Sequence, residues 1–404
     1  MLSALPGEIP VTFLLLGAKL KLHRKGAVRL PNLFDYLTWR GDISLLQVPL
    51  TPVDNLILSN LSYVHFDDLL CPDLYRRKPL RQAADAFLAL PASAQRSRVR
   101  CKEDLDMLRA IRNAPRFADL ELAFYDDRFM PEEEMQFAAM AILLGDGSAF
   151  LSFRGTDSTL VGWKEDFNMS FLDVVPAQQA ALEYTERFAD TFPGPLYLGG
   201  HSKGGNLAVF AASLCRPKVR DRIRAVFNND GPGFTTHVLN SAGYQELLTR
   251  IQTFVPQSSV IGMLLEHEES YTVVKSRHIG IFQHDPYTWE VLGSDFVRVE
   301  EVTSGSRITD RAVKNWVAHL SAEERSTIVD SVYELFTTND IDTTAELRQP
   351  RNILAALRSL KDTDGTTLRL FADAIGKLAR STADALRDET VENTTDNSTY
   401  LTLK

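Results

Sequence analysis

Residues 197–210 read YLGGHSKGGNLAVF, and this stretch decides how the rest of the chain is interpreted. A short apolar strand pattern runs into GHSKGG at 200–205, and an apolar helical pattern follows directly. So tight a turn from strand to helix needs positions with almost no side chain beside the serine, and it strains the serine backbone so that its hydroxyl points into a cleft. The three glycines supply those positions. The stretch therefore predicts a nucleophile elbow with Ser202 at its apex, in preference to an ordinary glycine-rich turn.

Strand-like and helical patterns alternate around this elbow. Two apolar runs flank the turn Gly145-Asp146-Gly147 and predict a hairpin. Further strands are predicted at PLYLGG, IRAVFNND, IQTFVP and YTVVKS, with helices at 177–191 and 206–214. This alternation predicts an α/β fold, with a mainly parallel central sheet flanked by helices.

The pattern changes at two places along the chain. Residues 1–115, with helical spacing near 53–63 and 104–111, are predicted to form an N-terminal accessory or cap region packed on the core. Residues 116–307 are the predicted core, and 308–404 are a predicted helical C-terminal extension with a polar tail. The apolar stretch IPVTFLLLGAKL near the start is interpreted as a strand or the start of a buried helix, because it is too short to span a bilayer.

Composition excludes several classes of protein. Of 404 residues, 44% are hydrophobic and 24% are charged, which is ordinary for a globular protein. The formal net charge is −9 and no long basic cluster occurs, so nucleic-acid binding is disfavoured. The three cysteines (Cys71, Cys101 and Cys215) are few and far apart, which argues against a disulfide framework and predicts a cytoplasmic protein. No HExxH, phosphate loop or dinucleotide motif is found, so neither a metal nor a cofactor is expected.

A second segment, at 149–171, offers groups for stabilising negative charge. A predicted strand ends in FRGT, where Gly155 permits a turn and Thr156 carries a backbone N–H and a hydroxyl. Arg154 and Asp166 are predicted to pair and brace this loop. The backbone N–H of Lys203, at the start of the helix after the elbow, is a second candidate donor. Taken alone, the FRGT residues fit an ordinary strand-to-loop exit equally well.

Together these motifs resemble a known family. FRGT at 153–156 with Trp163 and Asp166 is similar to the FRGT…W…D stretch of the class 3 (fungal-type) lipases, and GHSKGG matches their GHSxGG elbow. With NLFDYLTWRGD, VFNNDGPGF, VPQSSVIGMLL and GIFQHDPYTW, the chain looks most like a bacterial lipase-like family of unknown function. The resemblance covers about residues 32–299. It implies an α/β-hydrolase fold with Thr156 at the oxyanion-hole position and Ser202 at the nucleophile position.

The catalytic base is sought among the histidines after Ser202. In α/β-hydrolases the order along the chain is serine, acid, histidine, and the histidine follows the last core strand. His284, in QHDPYTW, is the first choice, because class 3 lipases place an aromatic residue shortly after their histidine. His278 is the second. His201 is not expected to act as the base, because a residue next to the serine on an elbow points away from Oγ.

The acid is where the sequence departs from the lipase pattern. Those lipases carry an aspartate near the end of the strand that aligns with IQTFVP, and this chain has no carboxylate there or in the QSS that follows. Asp230, just after the preceding strand, is the predicted acid, with the role of fixing the histidine tautomer. The alternatives are Glu266, Glu268, Asp285, or a Ser–His dyad without an acid.

Two functions of different classes are compatible with these residues. The first is a serine ester hydrolase that acts on a lipid or other carboxylic ester through an acyl-enzyme. The second is a lipase-like scaffold without catalysis that binds a lipid, a membrane surface or a protein partner. The missing aspartate motivates the second function, and so does the amphipathic pattern LRLFADAIGKLARSTADAL, which is compatible with peripheral membrane contact.

Overall fold

A computed structural model describes residues 31–157, 159–169, 172–259, 261–262, 264–278, 280–300, 302 and 320–337. The apolar stretch at 9–20 and the amphipathic pattern near 368–386 lie outside the described residues, so both interpretations stay predictions. The domain boundaries at 115 and 307 also stay predictions.

The core of the molecule is one eight-stranded sheet whose strands lie in chain order. Strands β1 to β4 pair antiparallel, and β4 to β8 pair parallel. The hairpin predicted at Gly145-Asp146-Gly147 joins β3 to β4, and both glycines have positive φ. The strands are β1 (Lys78–Pro79), β2 (Glu121–Met130), β3 (Met135–Leu143), β4 (Ala149–Phe153), β5 (Leu196–His201), β6 (Ile223–Asn229), β7 (Ile251–Pro256) and β8 (Tyr271–Val274), and a separate two-stranded hairpin comprises β9 (Val291–Leu292) and β10 (Asp295–Phe296).

Helices precede the sheet, alternate with its parallel strands and follow it. Those before β2 are α1 (Leu33–Arg40), α2 (Pro52–Leu61), α3 (Leu80–Leu88), α4 (Ala92–Ser97) and α5 (Lys102–Ile111). Those after β4 are α6 (Leu160–Asn168), α7 (Pro176–Thr191), α8 (Lys203–Leu214), α9 (Pro217–Arg220), α10 (Thr236–Leu239), α11 (Ala242–Leu247) and α12 (Ala322–Thr337). Short 3₁₀ helices occupy Pro131–Glu133, Gly280–His284 and Pro286–Thr288.

The two faces of the sheet bury separate apolar clusters. Side chains alternate along each strand, so neighbours such as Phe150 and Leu151 on β4 belong to opposite clusters. The first cluster joins one face to helices α1, α2, α3 and α5. The second joins the other face to α7 and α8. The N-terminal helices therefore cover one face of the same sheet that carries the elbow.

Local sequence signals set where several helices begin. Thr51 caps α2 and forms a capping box with Asp54, and Pro52 follows at the first helical position. Asn32 and Asp35 form the corresponding box at α1. These polar N-terminal caps fix the ends of helices whose stability comes mainly from the buried apolar face.

This architecture confirms the predicted α/β-hydrolase fold: a mainly parallel sheet lies between helical layers, and the serine turn sits between a central strand and a helix. The predicted strands and helices of the core occur within a few residues of their expected bounds. Among the described residues, no helix is both long enough and apolar enough to cross a bilayer.

Candidate active site

Ser202 occupies the turn between β5 and α8, in a backbone conformation that side-chain-bearing residues seldom adopt. Its φ is 59° and its ψ is −134°. Such a conformation costs on the order of 1–3 kcal/mol and persists only where the surroundings impose it. The Ser202 N–H donates to the carbonyl oxygen of Asn229, 2.9 Å away, and so ties the turn to β6. Ser202 is 8% exposed.

Close backbone contacts explain the glycines around the serine. A Cβ on Gly200 would lie 2.2 Å from the carbonyl carbon of Gly204, and one on Gly204 would lie 2.1 Å from the oxygen of Phe153. A Cβ on Gly155 would lie 3.2 Å from that of Ser202. The loop after β4, which carries Thr156, therefore lies directly against the elbow.

Asp230 follows β6 and is completely buried. Its φ is 55°, and its N–H donates to the oxygen of Phe254 on β7 at 2.8 Å. The hydroxyl of Ser259 donates to Asp230 Oδ1 at 2.5 Å. Gly262 also approaches this oxygen, since a Cβ there would lie 2.2 Å from it. The segment that lacks an acid after β7 thus supplies a hydrogen bond to the acid after β6.

The structure brings His284 and Asp230 together. His284 ends a 3₁₀ helix, and its Nδ1 lies 2.7 Å from Asp230 Oδ2. An ionised carboxylate only accepts, so Nδ1 carries the proton and Nε2 is the nitrogen that can take one. His278, the second candidate, is exposed. Among the other candidate acids, Glu268 accepts from the side chain of Gln245 and Asp285 caps the turn at Pro286–Thr288.

An aromatic residue supports the turn that carries His284. Trp289 is fully buried, and its indole N–H donates to the oxygen of Gln283 at 2.9 Å. The Gln283 side chain accepts from the N–H of Ser258 at 2.8 Å. The aromatic residue expected shortly after the histidine therefore holds the backbone of the 3₁₀ helix, and the Gln283 side chain joins that helix to the loop after β7.

Thr156 is held by Asp166. The Thr156 hydroxyl donates to Asp166 Oδ2 at 2.5 Å. Because a hydroxyl has one proton, this bond leaves the backbone N–H as the donor that Thr156 can still offer. Burial raises the pKa of Asp166 to about 6, against the opposing effects of the Lys203 ammonium and the Thr156 hydrogen bond. Within the described residues, the buried Oδ1 of Asp166 has no hydrogen-bond partner.

The predicted pairing of Arg154 with Asp166 is wrong. Arg154 makes two hydrogen bonds of 2.7 Å to the carboxylate of Asp127 on β2. Burial favours the neutral acid, but His65 and Arg154 outweigh it and hold the pKa of Asp127 below its usual value. The antiparallel strands β2 and β3 bring Asp127 to the end of β4, so Arg154 braces the sheet and Asp166 is left to Thr156.

One cluster has the composition of a cation site. His65, Asp67 and Asp127 each offer a ligand atom within 4.8 Å of the others. The Arg154 guanidinium already occupies the Asp127 carboxylate, and its NH1 lies 3.1 Å from His65 Nδ1. A second positive charge there would be repelled, so the cluster does not fit a metal ion.

Sequence reasoning did not anticipate two features of the site. The first concerns His201, which is not expected to act as the base. Its Nδ1 lies 2.9 Å from the Tyr63 hydroxyl oxygen, and its Nε2 lies 2.7 Å from the carbonyl oxygen of His284. Lys203 buries its ammonium 2.8 Å from Glu165. The sequence does carry a signal for the second: a lysine directly after the elbow serine, at the start of an apolar helix, requires a counter-charge where it is buried.

The chain is similar to one family model and to solved structures of lipases. The family model described as Mbeg1-like matches residues 111–334. No curated protein matches this sequence. The chain is similar to the Rhizomucor miehei lipase of a propeptide complex, with 16% identity over 46% of this chain and a TM-score of 0.31, and it spans 64% of that lipase chain. A fungal lipase in an inhibitor complex is 13% identical over 54% of this chain and 83% of its own, with a TM-score of 0.33. The M37 lipase is 13% identical over 61% of this chain and 81% of its own, with a TM-score of 0.32.

Proposed function

The chain belongs to the Mbeg1-like family, and we propose that it is a serine ester hydrolase that uses Ser202 as nucleophile, His284 as base and Asp230 as acid. The observation that carries this proposal is the 2.7 Å contact between His284 Nδ1 and Asp230 Oδ2, in a fold that presents Ser202 on a strained elbow. Strands β5 and β6 and the segment after β8 reach the same edge of the sheet, because β5 to β8 run parallel.

In the proposed reaction, Ser202 Oγ attacks the acyl carbonyl carbon while His284 Nε2 takes the hydroxyl proton. The oxyanion accepts hydrogen bonds from the backbone N–H groups of Lys203 and Thr156. The imidazolium then returns its proton to the departing alcohol, and an acyl-serine remains. Water repeats the sequence: its proton passes to His284, its oxygen attacks the acyl carbon, and Ser202 recovers its hydrogen as the acid leaves. Asp230 stabilises each imidazolium.

Exposed apolar side chains favour a substrate with an apolar acyl group. They lie on the segments that carry Asp166 and His284. They are Phe167, Leu172, Val174 and Phe282. An ester with an apolar acyl chain would gain free energy by removing apolar side chains of this kind from water. Contact with a lipid surface through the same side chains, and residence in the cytoplasm, are part of this proposal; the free thiols of the cysteines support a reducing compartment.

The alternative function, a binding scaffold without catalysis, has less support than the hydrolase. It rested on the absence of a carboxylate after β7, and Asp230, from the preceding strand, contacts His284 instead. The two functions differ in one observable, which is covalent reaction at Ser202.

The test is to expose purified protein to a fluorophosphonate probe and to p-nitrophenyl esters of increasing acyl length. We expect labelling and turnover in the wild type and loss of both in Ser202→Ala. The matched control is Ser213→Ala, which removes a buried α8 hydroxyl that has no hydrogen-bond partner in the described structure. A folded wild type that neither reacts nor turns over would refute the hydrolase and favour the scaffold.

A further inference from the structure

Lys203 carries a charge into the interior immediately after the proposed nucleophile. Its side chain is 0% exposed, and its ammonium has three acceptors. They are the backbone oxygen of Gln136 at 2.9 Å, Gln136 Oε1 at 3.0 Å and Glu165 Oε2 at 2.8 Å. The three N–H donors of the ammonium are thus all satisfied.

Glu165 is equally buried and equally engaged. Its Oε2 also accepts from the N–H of Gln136 at 3.2 Å, and its Oε1 accepts from the N–H of Ala177 at 2.8 Å. These contacts join four elements at one ion pair: β3 through Gln136, α6 through Glu165, the start of α7 through Ala177, and the elbow through Lys203.

The next residue of α6 completes the arrangement. Asp166 follows Glu165 directly, and it holds the Thr156 hydroxyl. Two consecutive carboxylates of α6 therefore accept hydrogen bonds from Lys203 and Thr156, from the ammonium of the first and the hydroxyl of the second. These are the two residues whose backbone N–H groups are proposed to stabilise the oxyanion. Both contacts therefore come from adjacent positions of α6.

Stability alone accounts poorly for this ion pair. Moving two charges out of water is costly, and well-packed apolar residues of the same volume often support a fold as well or better. A charge pair with fixed hydrogen bonds does hold backbone atoms in one position, and donors that are already in place act on an oxyanion without reorganisation.

We propose that the Lys203–Glu165 ion pair is a positioning device for the oxyanion hole, which fixes the Lys203 N–H relative to Thr156. This inference rests on the proposed function and concerns that same site. It assigns no substrate contact to either side chain. The pair acts through the backbone of Lys203, so its loss is expected to weaken transition-state stabilisation and to leave substrate binding nearly unchanged.

The test compares Glu165→Gln, Lys203→Met and the neutral double variant Lys203→Met/Glu165→Gln with the wild type. The measurements are kcat and KM on a p-nitrophenyl ester, and the affinity for an alkyl boronic acid, which forms a tetrahedral oxyanion-like adduct with the serine. Removing one oxyanion donor typically costs about 10²–10³-fold in kcat, so a displaced donor is expected to cost roughly 10- to 100-fold. The boronate affinity is expected to fall in parallel, with KM changing less than about threefold.

The matched control is Lys164→Met, the same substitution one position before Glu165. Lys164 pairs with Glu134 at 2.6 Å and Asp330 at 2.7 Å and does not contact Lys203 in the described structure. It removes a charge pair from α6 without touching the elbow, and wild-type kcat is expected.

The double variant separates a loss of folding from a loss of oxyanion stabilisation. If a single variant unfolds because one charge is left unpaired, the double variant decides, since it buries no charge. A folded double variant with wild-type kcat and boronate affinity overturns the inference, as does a rise in KM at constant kcat. A wild type that the fluorophosphonate probe does not label refutes the hydrolase itself, which is a separate result from a reactive wild type with equally reactive variants.

Discussion

The side chain of His201 donates a hydrogen bond to the backbone of His284, with 2.7 Å between Nε2 and the carbonyl oxygen. Burial holds the pKa of His201 well below its ordinary value, so the ring stays neutral with its proton on Nε2. Burial also raises the pKa of Tyr63, so its hydroxyl remains a donor toward His201 Nδ1. A chain of two hydrogen bonds thus links the residues after α2 to the turn that carries the proposed base.

Removing the tyrosine hydroxyl should loosen this chain. In Tyr63→Phe the buried Nδ1 of His201 loses its partner, which is expected to cost about 1–3 kcal/mol in the free energy of unfolding. We expect kcat to fall by roughly threefold to tenfold, since His284 keeps its contact with Asp230. Denaturant titration and esterase kinetics measure the two effects. The control is Tyr75→Phe, at a tyrosine that is 78% exposed, and an equal loss there would contradict the explanation.

Substitution of Asp230 should lower kcat more than substitution of Ser259, whose hydroxyl donates to the Asp230 carboxylate. Asp230→Asn takes the charge from beside His284 and favours the wrong tautomer, so kcat is expected to fall by about 10⁴-fold. Ser259→Ala removes the hydrogen bond to Oδ1 and the acceptor of the Gly262 N–H but leaves the carboxylate charge in place, so a loss of less than about tenfold is expected. Stopped-flow or steady-state hydrolysis gives both values. Nearly equal losses in the two variants would mean that Ser259 has another role than holding the carboxylate.

The assignment of His284 as the base can be tested by comparing variants of His284 and His278. His284→Asn should abolish turnover and greatly slow fluorophosphonate labelling, because Ser202 would lose its base. His278→Asn, at the exposed second candidate, should leave both intact. Activity that survives in His284→Asn and disappears in His278→Asn would reverse the assignment.

Much of this architecture was predictable because it depends on local sequence. The elbow glycines, the hairpin at Gly145-Asp146-Gly147 and the alternation of strands and helices are short-range signals that the structure follows. Contacts between distant segments were not predictable in the same way. Arg154 pairs with Asp127 and not with Asp166 because the pairing of β2, β3 and β4 brings Asp127 to the end of β4. The sequence alone does not show the order of the strands in the sheet, so both carboxylates were possible partners.

Gly155 should tolerate no side chain. A Cβ there would lie 2.2 Å from the Tyr63 hydroxyl oxygen and 2.4 Å from the His201 carbonyl oxygen. Gly155→Ala must therefore push the Thr156 loop from the elbow, at a cost of about 1–3 kcal/mol and a large loss of kcat. The control is Gly145→Ala, where a Cβ meets only Leu46 at 4.0 Å and the positive φ alone costs about 1–2 kcal/mol. Thermal melts and kinetics should show loss of stability in both and loss of activity only at position 155.

Asp166 should make stability depend on pH. Burial raises its pKa to about 6 from an ordinary value of 3.8, so the folded state binds a proton more tightly than the unfolded chain does. Stability is therefore lost as pH rises from about 4 to 6, and the ionised carboxylate is a fixed cost at higher pH. Asp166→Asn removes that cost and is expected to stabilise the protein at neutral pH by on the order of 3 kcal/mol, with most of the gain gone near pH 4. Urea titrations across this range measure it, with Asp119→Asn as control, because that side chain is 85% exposed. A gain that is independent of pH, or that grows toward acid, would contradict a proton held by Asp166.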